Sequence, residues 1–275
     1  MPPKIVALAR SSHPGPGLAV TAITVLLGVS SGLDPVRIVL IGVAMLFDQT
    51  SVGLSNDWID AERDRAVGRT DKPIALGWIS PQAVRAAAIA CAIIAIAFTV
   101  PLGLEVTLVH LLVIALAWGY NAGLKNTPLS FLPYTVCFAL LPALVTLARQ
   151  QPVWPDGWVI LAGGLLGTGA HFANVVPDLD EDRRTGIRGL PHRIGARASL
   201  AVTWIALAAA PAVIAYGTGF SPAAVVGLVV GLVLAAIGLI AGLTRPAGRW
   251  IFRLVIVAAL VDVVILVLSG GSFVS

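Results

Sequence analysis

The chain has 275 residues, of which 57% are hydrophobic and 12% charged, with mean hydropathy +0.92. A charged fraction about half that of a soluble domain excludes a water-soluble globule, and the same composition excludes a disordered chain or a fibrous repeat. What remains is an integral membrane protein, for which the formal charge of +4 gives no reason to expect a nucleic-acid partner and matters less than the placement of its 18 basic residues.

A spanning helix needs about 20 mostly apolar residues. In chain order such segments run over 15–33, 35–55, 81–102, 104–120, 129–148, 155–177, 198–217, 221–243 and 249–269. This pattern predicts an all-α, polytopic membrane bundle of about nine transmembrane helices, forming one transmembrane domain over residues 1–275. Pro35, Pro81, Pro155 and Pro222 stand at segment starts, where a missing N–H costs nothing. The first run follows Lys4 and Arg10 with no small-residue cleavage site set off from it, so it is read as a retained helix. Cys91 and Cys137 lie in apolar runs without ligand-type neighbours, and no disulfide framework is expected.

Two connections are long and polar, roughly 56–80 and 178–197, and they hold most of the acidic residues. An odd number of crossings puts the N-terminus and the even-numbered connections on one side of the membrane. That side holds every basic residue except Arg37 and Arg149. By the positive-inside rule it is cytoplasmic, in a bacterial-type cell membrane, with the C-terminus on the opposite side.

The first polar connection opens with Asn56, Asp60 and Asp64, spaced i, i+4, i+8. On a helix these share one face. The second motif segment, 174–197, opens with Asn174, Asp178 and Asp182 at the same spacing. Carboxylates at the membrane edge are costly unless paired or metal-bound, and oxygen-only ligands suit Mg2+ bridged to substrate phosphates. The alternative for either row is a solvated, salt-bridged loop, because Arg63, Arg65, Arg183 and Arg184 are close in sequence. Basic groups follow each row: Arg69 and Lys72, then Lys125 between the fourth and fifth segments, then Arg193. Each could neutralise a diphosphate or serve as a positive-inside anchor. Lys72 and Lys125 sit in short motifs instead of charge runs, which favours the first role.

These residues resemble a known family. Asn56-Asp57-x-x-Asp60-x-x-x-Asp64, with Arg69-Thr70-x-Lys72-Pro73, is similar to the first signature of the UbiA superfamily of intramembrane prenyltransferases. Tyr120 to Lys125 resembles its tyrosine–lysine motif, and Asn174-x-x-x-Asp178-x-x-x-Asp182 with Arg193-x-Gly195 resembles the second signature. The resemblance implies nine helices and a prenyl diphosphate donor held by Mg2+ between the two Asp-rich helix ends. Ionisation to an allylic cation follows, and the cation is captured by a small hydrophobic acceptor of aromatic or quinone-precursor type. Asn56, Asp60, Asp64, Asn174, Asp178 and Asp182 would hold metal and diphosphate. Asp60, Asp64, Asp178, Asp182 and Lys125 would carry the catalysis. Arg69, Lys72, Tyr120, Lys125 and Arg193 would contact the diphosphate.

The acceptor side departs from the family pattern. Arg10-Ser11-Ser12-His13-Pro14 occupies the place of the family's opening Arg and Pro, yet His13 is not a usual element there. No further Arg on the first cytoplasmic helix ends offers itself to an acceptor carboxylate. A cyclase that needs no acceptor is therefore a competing reading, with Trp58, Trp118, Phe47, Phe172 and Trp204 as aromatic groups near a moving cation. A lipid transporter would not require two metal-spaced rows. Asp48, His171 and Asp262 fall within spans: Asp48 is expected to bind water or an acceptor hydroxyl, or to pair with a neighbouring helix. His171 is expected to touch acceptor or diphosphate, or to bond within the core; for Asp262 no partner is evident.

Overall fold

A computed structural model describes residues 2–244 and 248–268. Arg245, the end of the ninth segment at Ser269 and the C-terminal tail lie outside the described residues. The chain opens with α1 (Lys4–Ser11) and α2 (Pro14–Ser30), bent by 64° at His13. Next come α3 (Pro35–Ile59) and the short α4 (Ala61–Ala66). The apolar series continues as α5 (Pro81–Thr99), α6 (Leu104–Ala122), α7 (Leu132–Thr146) and α8 (Gly157–Val175). A second short helix, α9 (Leu179–Arg184), precedes α10 (Leu190–Gly217), α11 (Pro222–Thr244) and α12 (Trp250–Leu268).

Each of the nine expected segments is matched by one apolar helix. By length and composition seven of the described helices can span a membrane alone, and the bent α1–α2 pair makes an eighth. The remaining one, α7, has 15 residues, fewer than a straight crossing of about 30 Å needs. Local chemistry sets several starts. Asp34 accepts from the Arg37 backbone N–H at 3.1 Å and Ser80 from that of Ala83 at 3.2 Å, each followed by proline in the first turn.

Two boundaries differ from expectation. Helix α3 runs on to Ile59, so Asn56 lies on the spanning helix itself. Ahead of the expected start near 198, a short helical stretch from Leu190 precedes the spanning part of α10; Gly195, at φ 81°, is not helical and separates the two by a kink.

The helices close into a ring. α2 packs on α3, α3 on α5 and α6, α6 on α7, α7 on α8, α8 on α10, α10 on α11 and α11 on α12, which returns to α2. Ile93, Ile205, Leu232 and Ile240 are exposed, a liability in water and the expected contact with lipid. Toward the end opposite the acidic rows, Ile41, Met45, Val106, Leu141, Leu144 and Val145 pack into an apolar plug. Arg37 ties that end: its Nη1 donates to the carbonyls of Ala148 at 2.6 Å and Leu102 at 3.4 Å, satisfying acceptors left over where helices stop.

Candidate active site

The two motif-bearing helices, α3 and α8, face each other across the ring, separated by α6 and α7 in one direction and by α2 and α12 in the other. The first row remains helical through the corner at Asp60. The Asp60 N–H bonds to the Asn56 carbonyl at 3.0 Å and the Asp64 N–H to the Asp60 carbonyl at 2.8 Å, so the i, i+4, i+8 register survives the junction of α3 and α4. The second row leaves α8 through a tight turn at Val176–Asp178, and Asp182 then lies on α9.

Asp60 is the most heavily paired member. Both of its oxygens accept from Lys125 Nζ, at 2.6 and 2.7 Å, and Oδ2 also accepts from Arg63 at 2.8 Å and from the Asn56 amide at 3.2 Å. Lys125 reaches it because α6 stops at Ala122 and the chain folds back in a turn at Leu124–Asn126. Burial lowers the Lys125 amine from its usual range, with the pull of Asp60 opposing. Asp64 is also buried, and burial raises its carboxyl; the charge of Lys72 opposes the rise and that of Asp60 adds to it.

On the other side, the Asn174 amide donates to the Tyr134 hydroxyl at 3.4 Å, and Asp182 lies 3.2 Å from Nε2 of His192. Asp178 is half-buried and has no hydrogen-bond or ion-pair partner among the described residues. Arg69 connects the two halves. It grips Asp71 through two nitrogens, at 2.8 and 2.9 Å, and its third reaches Glu181 on α9 at 3.1 Å.

An aromatic wall stands beside Asn174. Tyr120 meets Tyr134 edge-on at 5.3 Å and His171 at 5.8 Å, and Phe172 lies 5.3 Å from His171. His171 is a buried residue bonded to the Ser130 hydroxyl at 3.2 Å, a core role with a side-chain partner in place of a backbone carbonyl. Of the other aromatic candidates, Trp58 pairs with Trp118, whose indole N–H donates to Ser51, whereas Trp204 stacks on Trp250 between α10 and α12.

Two residues stand apart from their expected surroundings. Lys72 is near Asp64 but bonded elsewhere, to Asp57 at 2.5 Å and to His13 at 2.9 Å. Arg193 is exposed, and its Nε donates back to the Arg188 carbonyl at 2.9 Å. Sequence reasoning missed His13 as a partner of Asp57, and it missed Asn121, which donates to Ser55 and accepts from Asn56. It also missed His110, which bonds Thr99 at 2.7 Å and brings its Nε2 to 3.9 Å from Asp48, too far for a hydrogen bond; Asp48 Oδ2 accepts from the neighbouring Gln49 amide at 3.1 Å. Asp262 borders a cavity of about 50 Å³ between α2, α7, α8, α10 and α12, with no hydrogen-bond partner among the described residues.

All six row residues offer oxygen donors, a set that fits a hard divalent cation. Among the described residues no three His, Cys, Asp or Glu side chains converge as a ready-made metal cage. Each row instead offers two carboxylates, within the one or two that Mg2+ commonly takes from protein when phosphate oxygens and water complete its shell.

The model of the UbiA prenyltransferase family matches residues 17–269. The chain belongs to this family. The UbiA fold is also found by comparison of structures. An apo UbiA homologue from Aeropyrum pernix K1 is 20% identical, with 93% of this chain and 98% of that one covered and a TM-score of 0.77. A UbiA homologue from Archaeoglobus fulgidus bound to GPP and Mg2+ is 17% identical, with 96% and 98% covered and a TM-score of 0.73. A digeranylgeranylglyceryl phosphate synthase is 14% identical, with 97% of both chains covered and a TM-score of 0.69. At such identities the likeness is one of fold. No curated protein matches the sequence. UbiA membership brings with it a membrane prenyltransferase-type activity and an integral membrane location.

Proposed function

We propose that this chain is a single transmembrane domain that transfers an isoprenyl group from a prenyl diphosphate to a small hydrophobic acceptor of aromatic or quinone-precursor type. The observation that carries this reading is the placement of two oxygen-rich rows on opposite walls of one apolar ring, with cationic side chains between them. In this reading Asn56, Asp60, Asp64, Asn174, Asp178 and Asp182 hold Mg2+ and the diphosphate. When bound, Mg2+ would neutralise the charge that develops on the departing diphosphate.

The chain's own residues account for the rest. Lys125 has an ammonium to share between Asp60 and an entering anion, and Arg69 holds the second motif segment close to the first through Glu181. Tyr120, Tyr134 and Phe172 present ring faces and edges near Asn174, where an allylic cation would be stabilised by their π systems. The apolar ring excludes water that would otherwise quench that cation. The charge distribution supports a cytoplasmic position for the rows.

The test is product analysis. Purified protein is given geranyl, farnesyl or geranylgeranyl diphosphate with Mg2+, with and without phenolic acceptors. Prenylated acceptor is the expected product. Cyclic hydrocarbon formed without acceptor would replace transfer with cyclisation, and no diphosphate release from any donor would remove the reading.

A further inference from the structure

One carboxylate beside the first row has no part in the scheme above. Asp57 follows Asn56 in sequence and is 1% exposed. Its Oδ1 is met by Nε2 of His13 at 2.8 Å and by Nζ of Lys72 at 2.5 Å, and these two nitrogens lie 2.9 Å from each other. Oδ2 is buried and without a partner among the described residues.

The three contacts cannot all be hydrogen bonds. A nitrogen of a neutral imidazole is either a donor or an acceptor. With a hydrogen on Nε2, His13 donates to Asp57 and opposes the Lys72 ammonium. With Nε2 bare, it accepts from Lys72 and sets a lone pair against the carboxylate. One side of the triangle is repulsive in either tautomer, and departure of one member relieves it. Lys72, though its side chain is 10% exposed against 42% for His13, is the member with the reach to leave. Its ammonium rides on a flexible stem, its charge is already felt at Asp64, and its connection is not part of a spanning helix.

The backbone of His13, by contrast, is set by the corner it forms. It sits at the 64° corner between α1 and α2 in a left-handed conformation, φ 50° and ψ 60°, which a residue with a Cβ adopts rarely. The corner also depends on Gly53, one turn before Asp57 on α3. A Cβ there would stand 2.2 Å from the Ser12 carbonyl oxygen.

We propose that Asp57 is a resting berth for Lys72, and that His13 is the positioning residue that holds Asp57 when Lys72 turns to an incoming diphosphate. The inference rests on the donor reading given under Proposed function. Before the anion enters, Lys72 compensates Asp57. Once the anion draws the ammonium away, Nε2–H of His13 donates to Oδ1, and the buried carboxylate is not left bare. Without His13, Asp57 would retain Lys72.

The experiment uses inorganic pyrophosphate as the probe, titrated with Mg2+ present into the full-length protein in detergent, with thermal melting as the folding control. His13→Ala is expected to weaken pyrophosphate binding about tenfold or more, the scale of one lost charged contact. His13→Gln, whose side-chain amide can donate to Asp57, should stay near the unsubstituted protein. Adding Asp57→Asn to His13→Ala should restore affinity, because a neutral amide no longer retains Lys72. A corner with a purely structural role would leave the double variant as weak as the single, or weaker.

Unchanged affinity in a folded His13→Ala protein, or no recovery in the double variant, overturns the proposal. If His13→Ala does not fold, Asp57→Asn alone decides: tighter pyrophosphate binding supports the berth, and equal or weaker binding overturns it. Diphosphate release from geranyl diphosphate is followed separately. The expected binding pattern in a protein that releases none from any prenyl diphosphate would retain the berth and remove the donor reading.

Discussion

Nζ of Lys125 lies 2.6 and 2.7 Å from the two carboxylate oxygens of Asp60, and both side chains are withdrawn from solvent. This contact separates Lys125 from the other basic residues of its face, most of which are exposed. A topology anchor would tolerate replacement, since many other positive charges maintain the orientation. We expect Lys125→Met to fold, with Arg63 still on Asp60, and to lose about 10- to 100-fold in donor turnover, as for a charged hydrogen bond worth about 1.5–3 kcal/mol. Steady-state kinetics over a donor titration measure this; unchanged turnover in well-folded protein returns Lys125 to the role of an anchor.

The second prediction concerns the divalent ion. Asp178 is half-buried and unbonded among the described residues, so its replacement removes a carboxylate without breaking an internal pair. Asp178→Ala should therefore melt close to the unsubstituted protein and yet lose diphosphate release by about 10²–10³-fold, the scale of one lost electrostatic stabiliser. Chelation by EDTA should abolish release in both. Full activity in EDTA would exclude the metal assignment.

Acid stability provides a third check. The two-nitrogen grip of Arg69 holds the Asp71 carboxyl well below its ordinary value of 3.8, with burial opposing. Between the lowered folded value and 3.8, the unfolded chain binds more protons than the folded one. The stabilisation is therefore fully present above the unfolded value and is lost as pH falls through the folded one. The melting difference between the unsubstituted protein and Asp71→Asn should hold steady from about pH 8 to about pH 5 and shrink below about pH 4. A difference that already disappears near neutral pH would mean that Arg69 does not grip Asp71 in solution.

Orientation is open to a fourth test. Cysteines placed by Gly68→Cys and Gly186→Cys, both in the polar motif connections, should resist an impermeant thiol reagent in intact cells and react after permeabilisation. Labelling of Gly68→Cys from outside would invert the proposed topology.

The sequence made the first acidic row readable because its spacing is a local, helical property that the corner at Asp60 does not interrupt, and the second by the same spacing, although a tight turn at Val176–Asp178 breaks its helix. The spans were readable for the same reason, apolar runs of near-membrane length, although α7 is shorter than its run and a short helical stretch, set off by the kink at Gly195, precedes the expected start of α10. Contacts made over long separations left no such trace. The pairing of His13 with Asp57 spans 44 residues and depends on a left-handed corner, and Arg69 reaches Glu181 over 112 residues. The local bond of Arg193 was equally hidden: its motif left open a diphosphate contact or an anchor, and its Nε donates to the Arg188 carbonyl in the turn of chain ahead of it.

The ring that sets the two rows face to face is closed by α12 packing against α2 and α8. Of the described helices α2 is among the earliest in chain order, and α12 comes after all the others. Until Trp250–Leu268 is inserted, one seam of the barrel of helices stands open to lipid, and the flank of α2 that α12 covers has only acyl chains beside it. Both acidic rows precede α12 in the chain, so among the described helices α12 is the one that completes the enclosure around them. A chain shortened by one span would retain each acidic residue and lose the enclosure that gives them a common interior.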